Sequence, residues 1–452
     1  MRLRKTITTI VATAILLAGW QLFAVIANQP ELIPSLPRLV RTLCEWLVSS
    51  SFYQSVGATI LRGILGMSIS FVCAIGMAGL FARFEWVYEL FRPLLAIMRS
   101  IPVISFILLA LIFLNPESIP LMIAFLTMFP LLTENLTRGI LDLRPGLSIM
   151  ARQFHIKCSN VLFQIIYPQL KPFLYSGLAS AAGFGWRAII MGEVLSQCAF
   201  GIGSEMKRAQ NFIAVPELLA WTIVAVFISF FFDKGISKVA DITPKISFAN
   251  EDQTTPTPTL SVLDTKDISY QYGIQHFSHS FQKGIIYGIS APSGKGKTTL
   301  LNLIGGILLP TEGEIHPTRH FGIATIFQQP QLLPHLTAEE NIILPLSSFL
   351  TEEKARRIAQ KHLQEMEMEP FGNRYPKELS YGQQQRIAIA RALAYPSPLL
   401  LMDEPFKGLD EALSHRIIER IREMQMKEER IILFTSHNPD EIRLLADEVI
   451  YL

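Results

Sequence analysis

A glycine-rich segment in the second half of the chain carries residues suited to phosphate binding. APSGKGKTTLLNLIGG begins at Ala291 and follows the strand-like run GIIYGIS. Glycines let backbone N–H groups turn towards phosphate oxygens, and the positive end of the following helix favours an anion. We expect an ATP site in which Lys297 bridges the β- and γ-phosphates and Thr298 ligates Mg²⁺. The residues expected to surround the phosphates are Ser293, Gly294, Lys295, Gly296, Lys297, Thr298 and Thr299.

Ala291 occupies a position that is ordinarily glycine in this pattern. The closest approach to phosphate is expected later in the loop, at Gly294 and Gly296. The substitution therefore leaves the phosphate-binding prediction intact.

Two adjacent carboxylates end an apolar run further along the chain. PSPLLLMDEPF at 396–406 predicts a buried strand that ends in Asp403 and Glu404. We expect Asp403 to hold Mg²⁺ through water and Glu404 to polarise the attacking water as a general base. The alternative is an ordinary solvated acidic turn, which the preceding apolar run disfavours.

The first half of the chain has a different composition. Of 452 residues, 50% are hydrophobic and 17% are charged, and the apolar residues concentrate in the first 240 positions. The formal net charge of +2 provides no argument for a nucleic-acid partner. The four cysteines form no CxxC pair, so neither a disulfide framework nor a zinc site is expected.

Six apolar stretches predict membrane-spanning helices. The first is about 20 residues long, enough to cross the hydrocarbon layer and longer than the core of a cleavable signal peptide. Basic residues concentrate in the loops that are inside if the N-terminus is inside, which predicts a cytoplasmic C-terminal half. The stretches are Ile7–Ala27, Val56–Ala82, Leu94–Leu114, Ile119–Thr133, Phe173–Leu195 and Leu218–Phe232.

Two charged residues, Arg187 and Glu193, lie within the fifth stretch. An unpaired charge in a membrane is costly unless it faces a cavity or a partner. One interpretation places both residues on a translocation pathway, and the other has the helix break or end early. The sequence leaves both interpretations open.

The expected organisation is a multi-domain chain: an all-α, six-helix transmembrane domain at 1–241, a linker at 242–260 and an α/β P-loop NTPase at 261–452. The linker is rich in Thr and Pro, which favours an extended tether.

Further motifs resemble the ATP-binding cassette (ABC) family. LSYGQ within KELSYGQQQRIAIARALA is similar to the signature LSGGQ, with Tyr381 in place of the first glycine. The resemblance implies that the signature binds the γ-phosphate held by a second copy, and it assigns further roles by order and spacing. These residues are Ser380, Gly382 and Gln383 in the signature, Gln328 as the magnesium-sensing glutamine, Asp410 as the D-loop aspartate, His437 as the switch histidine, and Tyr272 (or, failing that, Tyr270) as the aromatic that stacks on adenine.

The loop at 138–172 resembles the EAA-x3-G loop of permeases of binding-protein-dependent importers. Ala151, Arg152 and the run IYP at 166–168 match that pattern, whereas Ile149 replaces its glutamate and His155 its glycine. A helix is expected over Ser148–Ile166, and its mixed apolar and basic residues suit docking on a soluble domain. LIPSLPRLV, SVGATILRG and RSIPVISFILLALIFLN also resemble sulfonate, taurine, nitrate and thiamine-precursor permeases.

The resemblance implies an ATP-hydrolysing importer of the cytoplasmic membrane with the permease fused to the ATPase. Its expected cofactors are ATP and Mg²⁺, and its expected partners are a second copy, a periplasmic or lipid-anchored solute-binding protein, a small organic solute and membrane lipid. Two alternatives remain open. One is an exporter half-transporter, disfavoured by the short inner loops. The other is a membrane-anchored ATPase without a transport role, disfavoured because six spans exceed what an anchor needs.

Overall fold

The computed structural model describes residues 2–240, 244–253, 260–271, 273–292, 294–317 and 322–452. The chain forms two compact units. The first, called the helical unit, comprises Met1–Leu143 and Gln169–Thr243. The second, called the sheet unit, comprises Arg144–Pro168 and Pro244–Leu452. The first part of the sheet unit, called the 144–168 segment, therefore comes from a loop between two helices of the helical unit.

Helices account for nearly all of the chain before residue 241. In chain order they are α1 (Arg2–Ala27), α2 (Leu36–Trp46), α3 (Ser50–Arg83), α4 (Glu85–Ser100), α5 (Val103–Phe113), α6 (Ile119–Leu141), α7 (Pro145–Gln153), α8 (Cys158–Asn160), α9 (Tyr167–Ser196), α10 (Ile202–Asn211) and α11 (Val215–Ala240). A 3₁₀ turn at Pro116–Ser118 precedes α6, and a π-helical stretch at Val161–Ile166 precedes α9.

Within the described residues, four helical stretches are long and apolar enough to cross a membrane: Ser50–Arg83, Pro116–Leu141, Cys158–Ser196 and Val215–Lys238. They coincide with the second, fourth, fifth and sixth predicted stretches. The first predicted stretch lies in α1, whose apolar part is the shorter Val11–Ala27. The expected all-α membrane-type domain before an α/β domain is confirmed.

The third predicted stretch is not one straight helix. The pair α4 and α5 bends by 94° between Ser100 and Val103. Ile101 is extended, with φ −71° and ψ 129°, and Pro102 follows it. Proline lacks an N–H and disfavours helical backbone at the residue before it, so the helix ends there.

Small residues bring the long helices of the helical unit close together. A Cβ on Gly66 of α3 would lie 2.6 Å from the Cβ of Ala124 in α6. A Cβ on Gly63 would lie 2.9 Å from the Trp186 ring of α9. In membranes, where apolar association gains little from excluding water, such close approach is a main source of helix–helix packing.

Glu193 is fully buried at the end of α9 and has several partners. Arg62 of α3 donates to its Oε1 at 2.7 Å, and the Gly203 N–H of α10 donates to its Oε2 at 2.9 Å. Arg62 also donates to Glu117 at 2.6 Å. A buried charge with this many partners joins helices, so Glu193 and Arg62 have a structural role.

The sheet unit contains two sheets. Apolar residues without alternation make β5, β6 and β7 fully buried strands, and β3 is buried except for its last residue, Ser290, as expected of a parallel sheet covered on both faces. The strands are β1 (Val262–Tyr270), β2 (Ile274–Gln282), β3 (Ile286–Ser290), β4 (Glu312–His316), β5 (Ile323–Ile326), β6 (Leu399–Asp403), β7 (Ile431–Thr435) and β8 (Glu448–Tyr451). The parallel sheet has the order β5-β6-β7-β3-β8, and the antiparallel sheet has the order β2-β1-β4.

Helices of the sheet unit pack around the parallel sheet. They are α12 (Lys297–Ile304), α13 (Ala338–Leu346), α14 (Glu352–Glu365), α15 (Tyr381–Ala394), α16 (Glu411–Glu428) and α17 (Pro439–Leu445). Short 3₁₀ turns lie at Glu369–Phe371 and Pro376–Glu378. The carboxyl ends of β3, β6 and β7 meet at one edge of the parallel sheet, where α/β folds place their ligands.

The described part of the predicted linker, 244–253, packs on the sheet unit. The Ala249 N–H donates to the Ser347 carbonyl at 3.0 Å, and the Gln253 N–H donates to the Phe349 carbonyl at 2.9 Å. Ile246 and Phe248 pack against the main core. This part of the expected extended tether is therefore anchored on the sheet unit by two apolar side chains; the Pro-rich residues 254–259 lie outside the described residues.

Candidate nucleotide-binding site

The loop between β3 and α12 has the backbone that phosphate binding requires. Gly294 and Gly296 have φ values of +81° and +90°, which favour glycine. A Cβ on Gly296 would also lie 2.6 Å from the Gly273 carbonyl oxygen. The Lys297 side chain is only 7% exposed, and its Nζ donates to the Ala291 carbonyl at 2.6 Å. Carbonyl and ammonium thus pair across the loop that a phosphate would enter.

The other predicted residues of this loop are placed as follows. Lys295 is exposed, and its N–H donates to the Pro292 carbonyl at 3.3 Å. Thr299 is half-buried beside Gly273. Ser293 and the adenine-stacking candidate Tyr272 lie outside the described residues. The alternative candidate, Tyr270, ends β1 and pairs with Ile274.

Asp403 ends β6 and contacts two threonines. Its Oδ2 accepts from the Thr298 hydroxyl at 2.9 Å, and its Oδ1 accepts from the Thr435 hydroxyl at 2.8 Å. Burial raises the pKa of the Asp403 carboxyl, and the two hydroxyl hydrogen bonds partly oppose this rise. The two side chains predicted to hold Mg²⁺ from β6 and α12 are therefore adjacent.

Glu404 follows Asp403 in left-handed backbone, with φ +49°. Its N–H donates to the Thr435 hydroxyl at 3.0 Å, which fixes this uncommon conformation. The carboxylate lies 3.2 Å from His437 Nε2 and 3.0 Å from Lys407 Nζ. Burial alone would raise its pKa, but hydrogen bonds from Lys407 and Gln328 outweigh that effect and lower it. Glu404 is therefore ionised at neutral pH, as a general base must be.

A cavity of about 260 Å³ lies beside the residues predicted to hold Mg²⁺. Its polar lining includes Thr298, Gln328 and Asp403, and Gly146 and Ile149 of the 144–168 segment line it as well. Oxygen ligands of this kind suit Mg²⁺, which keeps several waters and phosphate oxygens as its other ligands. No group of three or more His, Cys, Asp or Glu suited to a metal occurs in the described chain. The residues that would hold Mg²⁺ are accordingly Thr298, Asp403 and Gln328.

The signature residues begin α15. The Ser380 hydroxyl accepts from the Gln383 N–H at 3.3 Å, and the Gln383 side chain accepts from the Ser380 N–H at 2.9 Å, which forms a capping box. A Cβ on Gly382 would lie 2.6 Å from the Gly408 carbonyl. Among the residues that the structure describes, no hydrogen bond joins these three residues to Lys297 or Thr298. The three signature residues therefore form no direct hydrogen bond with these two residues of their own chain's phosphate loop.

Asp410 and Tyr381 have defined partners near the signature. The Asp410 carboxylate caps α16 by accepting from the Leu413 N–H at 2.9 Å. The Tyr381 hydroxyl donates to the Gln328 carbonyl at 2.8 Å. A Cβ on Gly408 would lie 2.8 Å from the Tyr381 ring. The tyrosine that replaces the usual glycine therefore links the start of α15 to the loop of Gln328 and to the loop before α16.

The 144–168 segment packs against the rest of the sheet unit, beside this site. Leu147, Met150 and Phe154 are buried in its main core. Gln153 Nε2 donates to the carbonyl of Gly305, at the end of α12, at 2.6 Å. Lys157 N–H donates to the Ser348 hydroxyl at 2.9 Å.

The segment is not the continuous helix expected over Ser148–Ile166. It breaks after α7, and His155 has a φ of +46°. That left-handed backbone is what glycine adopts most easily, which explains a glycine at this position of the EAA-x3-G pattern. A helix resumes at Cys158.

Arg391 connects this segment to the Gln328 loop. Its guanidinium is 1% exposed and donates to the carbonyls of Pro330 and Gln331 at 2.9 and 2.8 Å. It also lies over the Phe154 ring, 5.4 Å from the centroid. Burial lowers the pKa of Arg391 to about 9, so it is charged at neutral pH.

Sequence reasoning missed Thr435, Lys407 and Arg391. A threonine at the end of a buried strand, directly before Ser436 and His437, was the available signal for Thr435. Lys407 is three residues after Glu404 and could have been suspected as a charge partner. Arg391 lies in the apolar run IAIARALA, but arginine is ordinarily exposed, so its burial could not be expected from the residue type.

The fold and the site together define a P-loop nucleotide-binding protein with a membrane-type helical domain. Two family models match the chain. Residues 55–233 match the inner membrane component of binding-protein-dependent transport systems, and residues 274–407 match the ABC transporter family. The chain belongs to the ABC transporter family, and it carries a permease domain and an ATP-binding domain in one polypeptide.

Several relatives are similar to part of the chain. The Fe(3+) ions import ATP-binding protein FbpC of Rhizobium etli is 35% identical over 189 residues, which cover 40% of this chain and 54% of that protein. The chain thus spans about half the length of this relative. The thiamine import ATP-binding protein ThiQ of Yersinia pseudotuberculosis is 34% identical over 205 residues, which cover 42% of this chain and 86% of that protein.

An uncharacterized ABC transporter ATP-binding protein of Methanocaldococcus jannaschii is 34% identical over 201 residues, which cover 40% of this chain and 85% of that protein. A solved dimeric cassette in a post-hydrolysis state, bound to ADP and Pi, matches with a TM-score of 0.40 and 32% identity. That match covers 42% of this chain and 94% of the solved chain.

Proposed function

We propose that this protein is an ATP-driven importer that moves a small organic solute across the cytoplasmic membrane. The observation that carries this proposal is the 144–168 segment. It lies within the residues that match the permease family, yet it packs in the sheet unit. Its Gly146 and Ile149 line the same cavity as Gln328 and Asp403. A change at the nucleotide would therefore reach the permease loop directly.

The residues of the site support ATP hydrolysis. Gly294, Gly296 and Lys297 would bind the phosphates, and Glu404 would take the proton of the attacking water. His437 lies beside Glu404 and would stabilise the developing charge near the γ-phosphate. Mg²⁺, when bound, would neutralise phosphate charge between Thr298 and Asp403.

A second copy of the chain completes each site. Ser380, Gly382 and Gln383 form a rigid helix start, in which the capping box uses the Ser380 and Gln383 N–H groups. The positive end of this helix would still favour an anion. Because no hydrogen bond joins the three residues to the described part of their own phosphate loop, a facing copy would use them at its γ-phosphate. The homodimer would thus hold two ATP sites. Asp410 would lie where the ATP-binding domains of the two copies meet.

The permease match supports import as the direction of transport and supports the remaining partners. A permease of this type would receive its solute from a periplasmic or lipid-anchored binding protein. The basic inner loops favour a cytoplasmic position for the ATPase. The solute would be a small organic anion or a thiamine-precursor-like compound, as the permease resemblance suggests.

Replacement of the proposed base tests the chemistry. Glu404→Gln in the full chain in lipid should retain ATP binding and lose about 10²–10⁴-fold in turnover, because amides do not accept the proton. The matched control is Glu353→Gln, at a carboxylate that is 77% exposed. Near-normal hydrolysis by Glu404→Gln would remove Glu404 from the base role.

The direction of transport is tested in sealed vesicles. ATP-dependent movement of labelled small organic acids should require a solute-binding protein on the face opposite the ATPase. Efflux towards that face without a binding protein would support an exporter instead. Hydrolysis that responds to no solute or binding protein would support an anchored ATPase without a transport role.

A further inference from the structure

The described part of the linker, residues 244–253 and here called the strap, has one buried face. Pro244, Ile246 and Phe248 are half-buried, whereas Lys245 and Ser247 between them are exposed. This alternation is typical of extended backbone that lies along a surface. The strap is therefore a strand-like segment laid on the sheet unit.

Asn160 of the 144–168 segment binds the strap as a peptide group would. It is 1% exposed, and its Nδ2 donates to the Ser247 carbonyl at 2.8 Å. Its Oδ1 accepts from the Ser247 N–H, also at 2.8 Å. The same Nδ2 donates to the Ser347 hydroxyl at 2.8 Å. Both N–H bonds and the oxygen of the amide are thus used, as a buried amide requires.

Gln164 is a second buried amide of the 144–168 segment that binds the strap. It is fully buried, and its Nε2 donates to the Pro244 carbonyl at 3.1 Å. A proline has no N–H, so this bond satisfies the one backbone polar group that Pro244 offers. Two side chains of the segment therefore hold the strap at two points.

The other end of the strap is bonded to the chain between α13 and α14. The backbone N–H groups of Ala249 and Gln253 donate to carbonyls in that connection. The Asp252 carboxylate accepts from the Thr351 N–H at 2.9 Å and from its hydroxyl at 3.0 Å, directly before α14. Both helices contact α15, which begins with the signature residues. The strap thus reaches from the 144–168 segment to the helices that pack on α15.

These bonds do more than a covalent tether does. A flexible linker only keeps two parts of a chain at an effective concentration of about millimolar and fixes no contact between them. Detachment of the strap would leave the amides of Asn160 and Gln164 without these partners, which is costly for buried polar groups. The arrangement therefore favours a permanent contact over a transient one.

We propose that the strap fastens the 144–168 segment to the ATP-binding domain of its own chain and keeps it there throughout the ATP cycle. Asn160 is the positioning residue, because its amide joins the segment, the strap and the α13–α14 connection at one point. Each ATP-binding domain then moves its own permease domain and not that of a facing copy. This inference rests on the proposed transport function, in which the 144–168 segment carries movement from the nucleotide to the permease.

Cleavage of the full chain in lipid nanodiscs tests the proposal. Residues 254–259 are replaced by the recognition sequence of a site-specific protease, so cleavage leaves the strap on the membrane half. The ATP-binding half, from residue 260 onwards, then has no covalent attachment. Size-exclusion chromatography after dilution measures how fast it leaves the nanodisc. With the wild-type strap it should be retained, equally with MgATP and without nucleotide.

Substitutions at one position of the strap separate its backbone from its side chain. Ser247→Pro suits extended backbone and removes the N–H that Asn160 accepts, so dissociation should become about tenfold faster or more. Ser247→Ala keeps both backbone groups and removes only an exposed hydroxyl, so it is the matched control and should dissociate as the wild type does. Asn160→Ala should also speed dissociation. Adding Ser247→Pro to Asn160→Ala should change little further, because both remove the same bonds.

Hydrogen exchange in the uncleaved chain gives a second measurement that does not depend on cleavage. The N–H groups of Ser247, Ala249 and Gln253 are bonded and should exchange slowly in the wild-type protein. Asn160→Ala should raise the exchange rate at Ser247 by about tenfold or more.

The proposal is overturned if the wild-type ATP-binding half leaves as soon as the chain is cleaved, or if Ser247→Pro and Asn160→Ala dissociate at the wild-type rate. Retention that needs MgATP also overturns it, since a contact between facing copies would then hold the halves. Equal losses in Ser247→Ala and Ser247→Pro, or additive effects in the double variant, exclude the backbone pairing with Asn160. ATP hydrolysis by the uncleaved chain separates the two failures: its absence in the wild type counts against the proposed function, whereas insensitive retention beside normal hydrolysis counts only against the strap.

Discussion

Tyr381 provides a sharp test of how the signature is connected to the nucleotide site. Tyr381→Phe removes one oxygen and keeps the ring that packs on Gly408. The lost hydroxyl donates to the Gln328 carbonyl at 2.8 Å. The Gln328 side chain in turn hydrogen-bonds Glu404. The substitution therefore loosens the loop that positions a side chain against the proposed base.

The expected effect is modest and can be bounded from the structure. A neutral hydrogen bond contributes about 0.5–1.5 kcal/mol net. Tyr381 is 42% exposed, so water competes and the lower half of that range applies. A loss of about 0.5–1 kcal/mol corresponds to about a 2- to 5-fold fall in kcat. The KM for ATP should stay unchanged, because Tyr381 makes no hydrogen bond to the described residues of the phosphate loop.

The assay is steady-state ATP hydrolysis by the full chain in lipid, with kcat and KM determined separately. Tyr451→Phe is the matched control, since it makes the same chemical change at a tyrosine that is 79% exposed. Wild-type kcat in Tyr381→Phe would refute the positioning role. An equal loss in the control, or a rise in KM with unchanged kcat, would refute it as well.

Three further outcomes are expected. Gly66→Ala should lower the free energy of unfolding of the helical unit by about 1–3 kcal/mol, because its Cβ would meet Ala124. Gly76→Ala in the same helix is the control, since its Cβ would have nothing within 4 Å. Equal effects of the two substitutions would contradict the packing argument. Burial lowers the pKa of His362 below its usual 6.5, so the unfolded state binds the proton first as the pH falls. The free energy of unfolding should therefore fall as the pH drops from about 7.5 to about 5.5. Calorimetry should show a smaller fall for His362→Gln, and an unchanged pH dependence in that variant would count against this linkage. Gln153→Ala removes the 2.6 Å bond to the Gly305 carbonyl and should lower uptake per ATP hydrolysed, with both rates measured in one vesicle preparation; an unchanged ratio would exclude that bond from coupling.

The elements that carry the site follow local rules and could be expected from the sequence. The strand before the phosphate loop and the strand that ends in Asp403 are apolar runs long enough to be buried. Gly294 and Gly296 are needed because the loop uses left-handed backbone there. The expected membrane helices coincide with apolar helices for the same reason, since apolar length is a local property.

Other features depend on residues far apart in the chain. The contact of Thr435 with Asp403 and Glu404 arises because β6 and β7 are neighbours in register, although 32 residues separate Thr435 from Asp403. The bend between α4 and α5 had a local cause in Pro102, but its angle of 94° depends on the packing around it.

By itself, the sequence determined the identity of the chemical groups and the local backbone that presents them, because glycine, proline and apolar runs act over a few residues. It placed Arg187 and Glu193 in one membrane helix but could not distinguish their roles. Only the tertiary structure did so, by giving Glu193 the guanidinium of Arg62 and leaving Arg187 at a cavity wall without an ion partner among the described residues. The sequence favoured docking of the 144–168 segment on a soluble domain, and the segment does pack in the sheet unit. Which of its side chains are buried there, and that Gln153 donates to the Gly305 carbonyl, was decided only by the tertiary structure, because Gln153 and Gly305 are 152 positions apart in the chain.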